Sequence, residues 1–154
     1  MSIFSRLFGS SPKPEPRRVP GALIAAALAT KLHCRSDYQH YGQKATMALP
    51  TPEDIALVVD SAWMPWKEDV WECEDQARAV VHEAQKRAAK QGCSWAIGTL
   101  RAQPPMHLPQ DSRHVYVWAV CSSFAGLPDV LIYDPTARKA VAVSSLREVD
   151  YTMT

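Results

Sequence analysis

A cysteine, a histidine and an aspartate follow one another along the chain in an order that suits thiol chemistry. Cys73 lies where an acidic, tryptophan-rich segment gives way to a long helical pattern, His114 begins an alternating apolar stretch, and Asp134 ends the next one. A thiolate attacks carbonyl groups, an imidazole can take the thiol proton, and a carboxylate can orient the imidazole. We therefore predict a catalytic site at Cys73, His114 and Asp134. The alternative is a small α+β domain with a buried cysteine.

The helix after Cys73 is expected to activate the thiol. From Glu74 to Gln91 the apolar residues recur at helical spacing, and Gly92 follows as a stop signal. The free N–H groups and the dipole at the first turn of a helix favour the thiolate and lower the pKa of a cysteine placed there. The sequence therefore predicts a nucleophile at a helix N-terminus.

The histidine and the aspartate are predicted on neighbouring strands. His114 to Ser122 (HVYVWAVCS) and Asp129 to Asp134 (DVLIYD) alternate in the manner of strands. A hairpin closed about Phe124 and Ala125 places His114 directly opposite Asp134, with the Cβ atoms about 5 Å apart. In that register the carboxylate can orient the imidazole.

The remaining elements predict helices followed by an antiparallel sheet, an α+β arrangement. Helices are expected over Gly21 to Leu32 and from Pro52 to about Ala62, the second with Thr51 as its N-cap. Further strands are expected over Ser94 to Ala102 and Lys139 to Ser144, with a short edge strand or a tail from Leu146 to Thr154.

The first twenty residues differ in composition from the rest. Met1 to Gly9 is a short amphipathic stretch, and Ser10 to Pro20 is rich in proline and charge, which favours an extended linker. We predict two parts, an N-terminal peptide with its linker over residues 1–20 and a folded domain over residues 21–154. Residues 1–11 are a candidate docking peptide for a partner, and a disordered terminus is the alternative.

Composition excludes several classes of function. The 154 residues carry 17 basic and 16 acidic side chains, a net charge of +1, which gives no support to nucleic-acid binding. The apolar run Gly21 to Thr30 is too short to span a bilayer. The four cysteines contain no CxxC pair, so we interpret them as free thiols in a reducing compartment; two disulfides in a secreted protein are the alternative. We expect a cytoplasmic protein or one incorporated in a virion, and we consider periplasmic export the weaker alternative.

Three segments resemble the bacterial transglutaminase-like cysteine peptidase family. Glu72-Cys73-Glu74-Asp75-Gln76-Ala77 is similar to the Asp-Cys-Glu-Asp-Tyr-Ala signature of that family. His114 to Val117 is similar to its histidine-bearing strand, and Leu131 to Thr136 is similar to its aspartate-bearing strand. The resemblance implies a papain/transglutaminase-like fold with Cys73 as nucleophile, His114 as base and Asp134 as orienting residue.

The same resemblance raises the question of a metal. Some relatives bind calcium through the acids that flank the cysteine, which here are Glu72, Glu74 and Asp75. Carboxylates beside a thiolate raise its pKa unless a cation or an arginine neutralises them, and calcium prefers oxygen ligands. A Ca²⁺ site at Glu72, Glu74 and Asp75 is one possibility. The other is that acids in a first helical turn are favoured without any metal.

These observations together predict a thiol hydrolase that cleaves a peptide or amide bond. A protein or a peptidoglycan peptide is the expected substrate, and no cofactor is required beyond the possible Ca²⁺. The alternative is a catalytically inactive scaffold or interaction module, for example a structural component of a phage particle.

Overall fold

The computed structural model describes residues 15–32, 46–65, 67, 72–103, 114–122 and 128–153. Three helices lie in this part of the chain, α1 (Gly21–Leu32), α2 (Pro52–Ala62) and α3 (Cys73–Lys90). The strands are β1 (Arg18–Pro20), β2 (Thr46–Ala48), β3 (Ile97–Gln103), β4 (His114–Ser122), β5 (Pro128–Asp134), β6 (Lys139–Val141) and β7 (Arg147–Met153).

Two helix signals in the sequence, the N-cap at Thr51 and the glycine at position 92, correspond to helix ends in the structure. At the start of α2, the backbone N–H of Asp54 donates to the Thr51 hydroxyl at 3.1 Å, and the N–H of Thr51 donates to the Asp54 carboxylate at 3.2 Å. The N–H groups at the start of a helix have no partner within the helix, and this pair of hydrogen bonds gives two of them a partner. At the end of α3, Gly92 adopts φ +67° and the N–H of Cys93 donates to the carbonyl of Ala88 at 3.1 Å. This left-handed cap is the turn that glycine favours.

Five of the strands form one antiparallel sheet in the order β6-β5-β4-β3-β7. The other two, β1 and β2, pair with each other in a separate antiparallel sheet. This small sheet is joined to the main one through Ala48, whose N–H donates to Ser94 and whose carbonyl accepts from Ala96. Strand β4 lies at the centre of the main sheet, which is why its side chains are almost all buried.

Helices cover both faces of the main sheet. Side chains of α2 and α3 pack on the face formed by the odd-numbered residues of β4, Val115, Val117, Ala119 and Cys121. Side chains of α1 pack on the face formed by the even-numbered residues, Tyr116, Trp118 and Val120. Because both faces are apolar, β4 is buried from both sides and holds its ends in fixed positions.

The predicted order of helices followed by an antiparallel sheet is wrong. Strand β1 precedes all helices, and β2 lies between α1 and α2. Val19, in β1, is only 4% exposed, so the packed part of the chain begins within the predicted linker. A single apolar residue between charged and proline residues gives no period, which explains why this strand could not be found from the sequence.

The predicted helices agree with the structure, and the strands differ at their ends. Strand β3 begins at Ile97 rather than Ser94, and β6 is followed at once by a 3-10 turn over Val143–Ser145. The chain continues as β7, the edge strand beside β3. The candidate docking peptide, residues 1–11, lies outside the described residues. Within the described part, every helix falls short of the length and hydropathy that crossing a bilayer requires.

Candidate active site

The three predicted catalytic residues all lie at the ends of elements, and these ends meet where β4 begins and β5 ends. Cys73 is the first residue of α3, His114 the first of β4 and Asp134 the last of β5. Each end is fixed by burial of the rest of its element, α3 through Ala77 and Val80 and β4 on both faces. A residue at the end of an element is held rigidly when the rest of that element is buried.

His114 and Asp134 form a close ion pair. Nε2 of His114 lies 3.1 Å from Oδ1 of Asp134, and the two side chains are 22% and 11% exposed. The N–H bond at Nε2 does not point along this line, so the contact lacks the geometry of a full hydrogen bond. Catalytic hydrogen bonds are often poorly aligned in the absence of substrate.

The predicted register of the β4–β5 hairpin is wrong by two residues. Val117 pairs with Tyr133, so one step further Asp134 comes opposite Tyr116 rather than His114. A shift of two keeps every side chain on its predicted face, whereas a shift of one would reverse the faces. His114 and Asp134 are therefore diagonal neighbours, a separation that a histidine side chain can bridge.

Asp134 is also held by the turn that follows it. The backbone N–H groups of Thr136 and Ala137 donate to Oδ1 at 2.9 and 3.0 Å. Burial raises the pKa of Asp134, but the His114 imidazole and these two N–H groups outweigh it and leave the pKa below its ordinary value. The carboxylate is thus charged and oriented before any substrate arrives.

The Cys73 thiol is in contact with the imidazole of His114. A hydrogen bond with that imidazole is the main cause that lowers the pKa of Cys73; partial burial opposes it. The backbone N–H groups of Val115 and Glu74 donate to the sulfur and lower the pKa further. Glu74 belongs to the first turn of α3, so the predicted effect of the helix start acts on the sulfur through a specific N–H group.

His114 is the partner that stabilises the thiolate. Burial lowers the pKa of His114, but the ion pair with Asp134 and the hydrogen bond with Cys73 raise it to about 9. The ring of Tyr116 packs edge-on against the imidazole, with the ring centroids 4.7 Å apart. The arrangement therefore favours a thiolate and an imidazolium, the reactive form of such a pair.

The three residues approach one another from two sides of the sheet. Cys73 packs with the core between the sheet and helices α2 and α3. His114 lies on the same face as Tyr116, the face that α1 covers. Sulfur and imidazole can meet because His114 is the terminal residue of β4, where the sheet no longer separates its two faces.

The acids that flank Cys73 have partners of their own. Glu74 binds Arg78 at 2.6 Å and lies 3.8 Å from Arg101 of β3. Asp75 accepts the backbone N–H of Glu72 at 3.3 Å and so helps to start α3. In the described part of the chain, no three His, Cys, Asp or Glu side chains are grouped so that they could hold a metal ion. The two arginines therefore offset the charge of Glu74, and the N–H of Glu72 binds the carboxylate of Asp75. The calcium site stays a prediction.

Two supporting residues were not predicted. Gln76 is 2% exposed, and its side chain binds the carbonyl of Ala62 at 3.0 Å and the N–H of Met64 at 3.1 Å. Trp63 lies between Ala62 and Met64 in the sequence, and its indole N–H donates to the carbonyl of Thr136 at 3.4 Å. The Asp-Pro-Thr sequence after β5 could have indicated a turn closed on the aspartate. The spacing of Gln76 from Val80 and Ala84 places it on the apolar side of α3, and this is the signal that could have indicated its burial.

The other described cysteines are not placed for catalysis. Cys121 is buried, and burial raises its pKa to about 12. The thiol of Cys93 donates to the carbonyl of Ala88 at 3.4 Å, at the opposite end of α3 from Cys73. Of the four cysteines in the sequence, Cys34 lies outside the described residues, as does Gln43, a candidate donor for an oxyanion.

Solved structures similar to this chain exist, but the comparisons assign the chain to no family. No family model and no curated protein matches the sequence. One similar solved structure is described as Polyporus squamosus lectin bound to the human-type influenza-binding epitope Neu5Aca2-6Galb1-4GlcNAc, with a TM-score of 0.70 and 17% identity over 89% of this chain. Another is described as a PSL1a-E64 complex, with a TM-score of 0.69 and 16% identity over 89% of this chain. The chain corresponds to 49% and 51% of those two chains, about half their length.

The predicted papain/transglutaminase-like fold class is corrected by this result. Neither of the two descriptions names a transglutaminase-like peptidase, and the first names a lectin. The fold is a mixed one, in which helices flank an antiparallel sheet and a second small sheet lies among the helices. Short motifs identify local chemistry, and they do not fix the family of the surrounding fold.

Proposed function

We propose that this protein is a thiol hydrolase that cleaves a peptide or amide bond through Cys73, His114 and Asp134. The observation that carries the proposal is the continuous contact from sulfur to imidazole to carboxylate, with the pKa of Cys73 lowered and that of His114 raised to about 9. Perturbed pKa values in a connected nucleophile, base and orienting group are typical of catalytic sites. The proposal rests on these residues and does not depend on the fold class.

The geometry suits a two-step reaction through an acyl-enzyme. The Cys73 thiolate attacks the carbonyl carbon of the scissile bond, and the His114 imidazolium protonates the departing amine. His114, now neutral, then takes a proton from the water that attacks the thioester, and this step releases the acid and restores the Cys73 thiolate and the His114 imidazolium. Asp134 keeps the imidazole in place through both steps. The backbone N–H of Cys73, at the first position of α3, has no partner within the helix and is a candidate donor to the oxyanion.

The second similar structure is described as a PSL1a-E64 complex, which suggests a reagent for the test. E64 carries an epoxide, and a thiolate opens an epoxide by nucleophilic attack. At 16% identity this similarity concerns the fold, so the reaction with this chain requires its own test.

The test combines cleavage with labelling. The wild-type protein is incubated with a library of fluorogenic peptide amides and with E64, and covalent addition is located by mass spectrometry. We expect cleavage and addition at Cys73, and we expect both to be lost in Cys73→Ala and reduced at least about 100-fold in His114→Ala. Cys93→Ala is the matched control, because Cys93 lies at the other end of the same helix. Full cleavage by Cys73→Ala would refute the proposal.

Glycan binding is a second candidate function, and the lectin similarity is the observation that favours it. Because the chain spans about half of the lectin, the part of that protein that binds the trisaccharide need not be the part to which this chain corresponds. Isothermal titration with the same trisaccharide tests this candidate. Binding that survives in Cys73→Ala, together with absent cleavage in the wild type, would favour the non-catalytic interaction module that the sequence left open.

A further inference from the structure

Trp63 is a partly exposed aromatic residue that is held on both sides. Its side chain is 36% exposed, and the next residue, Met64, is 51% exposed. The Gln76 amide binds the carbonyl before Trp63 and the N–H after it, and the indole N–H donates to the carbonyl of Thr136. An exposed tryptophan that is fixed in this way has lost its freedom before any ligand arrives, which lowers the cost of binding.

These contacts place Trp63 beside the candidate active site. Gln76 is one helical turn after Cys73, on the buried side of α3. Thr136 donates its N–H to the Asp134 carboxylate, so the residue that contacts the Trp63 indole also binds the site's acid. Trp63 thus joins the helix that carries the nucleophile to the turn that holds the orienting carboxylate.

The charges around Trp63 indicate which ligand it would take. The guanidinium of Arg138 lies 5.2 Å from the centre of the Trp63 ring and covers one of its faces. Arg138 is in turn paired with Asp60 at 3.2 Å, so its charge is already balanced. Because Arg138 already covers one face of the ring, a second cation could not use that face, and an anion would compete with Asp60 for Arg138. The remaining surface of Trp63 and Met64 is apolar and favours an apolar ligand.

We propose that Trp63 and Met64 form a substrate subsite that binds an aliphatic or aromatic side chain next to the bond cleaved at Cys73. This inference rests on the proposed hydrolase function and adds the class of substrate. Discrimination by one apolar side chain in such a subsite is typically 10- to 200-fold. The preference belongs to Trp63 and Met64, so it is separable from the chemistry at Cys73.

The test compares two peptide amides that differ only by leucine or serine, with the varied residue moved through the positions on each side of the scissile bond. We expect the wild type to cleave the leucine peptide at least about 10-fold better at one position. In Trp63→Ala this preference should fall to less than about 3-fold through loss of kcat/KM for the leucine peptide alone. Trp63→Phe, which keeps an aromatic face, should retain most of the preference. Leu57→Ala, at an exposed residue of α2, is the control and should retain all of it.

Alkylation of Cys73 by iodoacetamide separates the possible failures. The subsite is supported if Trp63→Ala alkylates at the wild-type rate and loses only the leucine preference. It is overturned, with the hydrolase intact, if the wild type cleaves both peptides equally at every position. It is also overturned if Trp63→Ala loses both cleavages and alkylates slowly, because Trp63 then acts by positioning Asp134. A wild type that cleaves no peptide and whose Cys73 alkylates slowly would overturn the hydrolase itself.

Discussion

Oδ1 of Asp134 lies 3.1 Å from Nε2 of His114 while it also accepts the backbone N–H groups of Thr136 and Ala137. One oxygen thus receives three partners, two of which belong to the turn that directly follows it. The position of the carboxylate is set by its own turn, and the imidazole adapts to it. A change at Asp134 should therefore reach the Cys73 thiol through the imidazole of His114.

Replacing Asp134 should make Cys73 less reactive at neutral pH. Asp134→Asn removes the charge that helps to hold His114 as an imidazolium, so the pKa of His114 should fall and that of Cys73 should rise. We expect the midpoint of the pH profile for iodoacetamide alkylation to move upward and the rate at pH 7 to fall about tenfold. Cys93 in the same protein is the internal reference. Superimposable profiles for wild type and Asp134→Asn would argue against any coupling between carboxylate and thiol.

The His114–Asp134 ion pair should make stability fall at alkaline pH. The pKa of His114 in the folded protein, about 9, is above its ordinary value of 6.5, so its contribution to stability is complete below pH 6.5 and is lost as pH rises through 9. In the wild type the Cys73 thiolate titrates in the opposite sense, so the measurement is made in Cys73→Ala, where the pKa of His114 loses the contribution of Cys73 and keeps that of Asp134. We expect urea denaturation to give a stability gap between Cys73→Ala and Cys73→Ala/His114→Gln that is larger at pH 6 than at pH 9.5, by on the order of 1 kcal/mol. A gap that does not change with pH would contradict the ion pair.

Two glutamines of α3 offer a matched pair for separating stability from reactivity. Gln76 binds the carbonyl of Ala62 and the N–H of Met64, and Gln85 binds both backbone groups of Trp95 at 3.0 and 3.2 Å. Each glutamine-to-alanine change removes two hydrogen bonds to the backbone and should cost about 1 to 3 kcal/mol, with Gln85→Ala at the lower end because the Trp95 carbonyl also accepts the N–H of Ile97 at 3.0 Å. Only Gln76→Ala should also slow alkylation of Cys73, since only Gln76 lies beside the site. Equal alkylation rates in the two variants would show that Gln76 supports the fold alone.

Calcium should have little effect on thermal stability. Glu74 already binds Arg78 and approaches Arg101, and Asp75 accepts the N–H of Glu72. A bound metal would have to displace these partners. Calcium would raise the Tm only if it bound the folded protein, and these contacts leave it little to bind. We therefore expect the same Tm in millimolar calcium chloride and in a chelator. A rise of several degrees that Asp75→Asn abolishes would establish the calcium site predicted from the sequence.

The sequence located most of the elements, and the three residues it singled out, Cys73, His114 and Asp134, lie together in the structure; their catalytic role stays a prediction. Local signals located the elements, namely the Thr51-Pro52 helix start, the Gly92 stop and the alternation from His114. The hairpin register could not be read in the same way, since the residues of its connection leave more than one closure open. The contacts of Gln76 and Trp63 are between residues distant in sequence, and no periodic pattern records them. The overall fold class was wrong because short motifs were taken to represent the whole domain.

The convergence of Cys73, His114 and Asp134 from both faces of the sheet has a consequence during synthesis. Cys73 is translated before strand β4 and the turn after β5, so the groups that lower the pKa of its thiol are absent when Cys73 is made. His114 and the N–H of Val115 reach the sulfur only in a chain in which α3 packs on the sheet and β4 is in place. In the proposed hydrolase, the nucleophile would therefore be activated in the folded chain and not in an incomplete one.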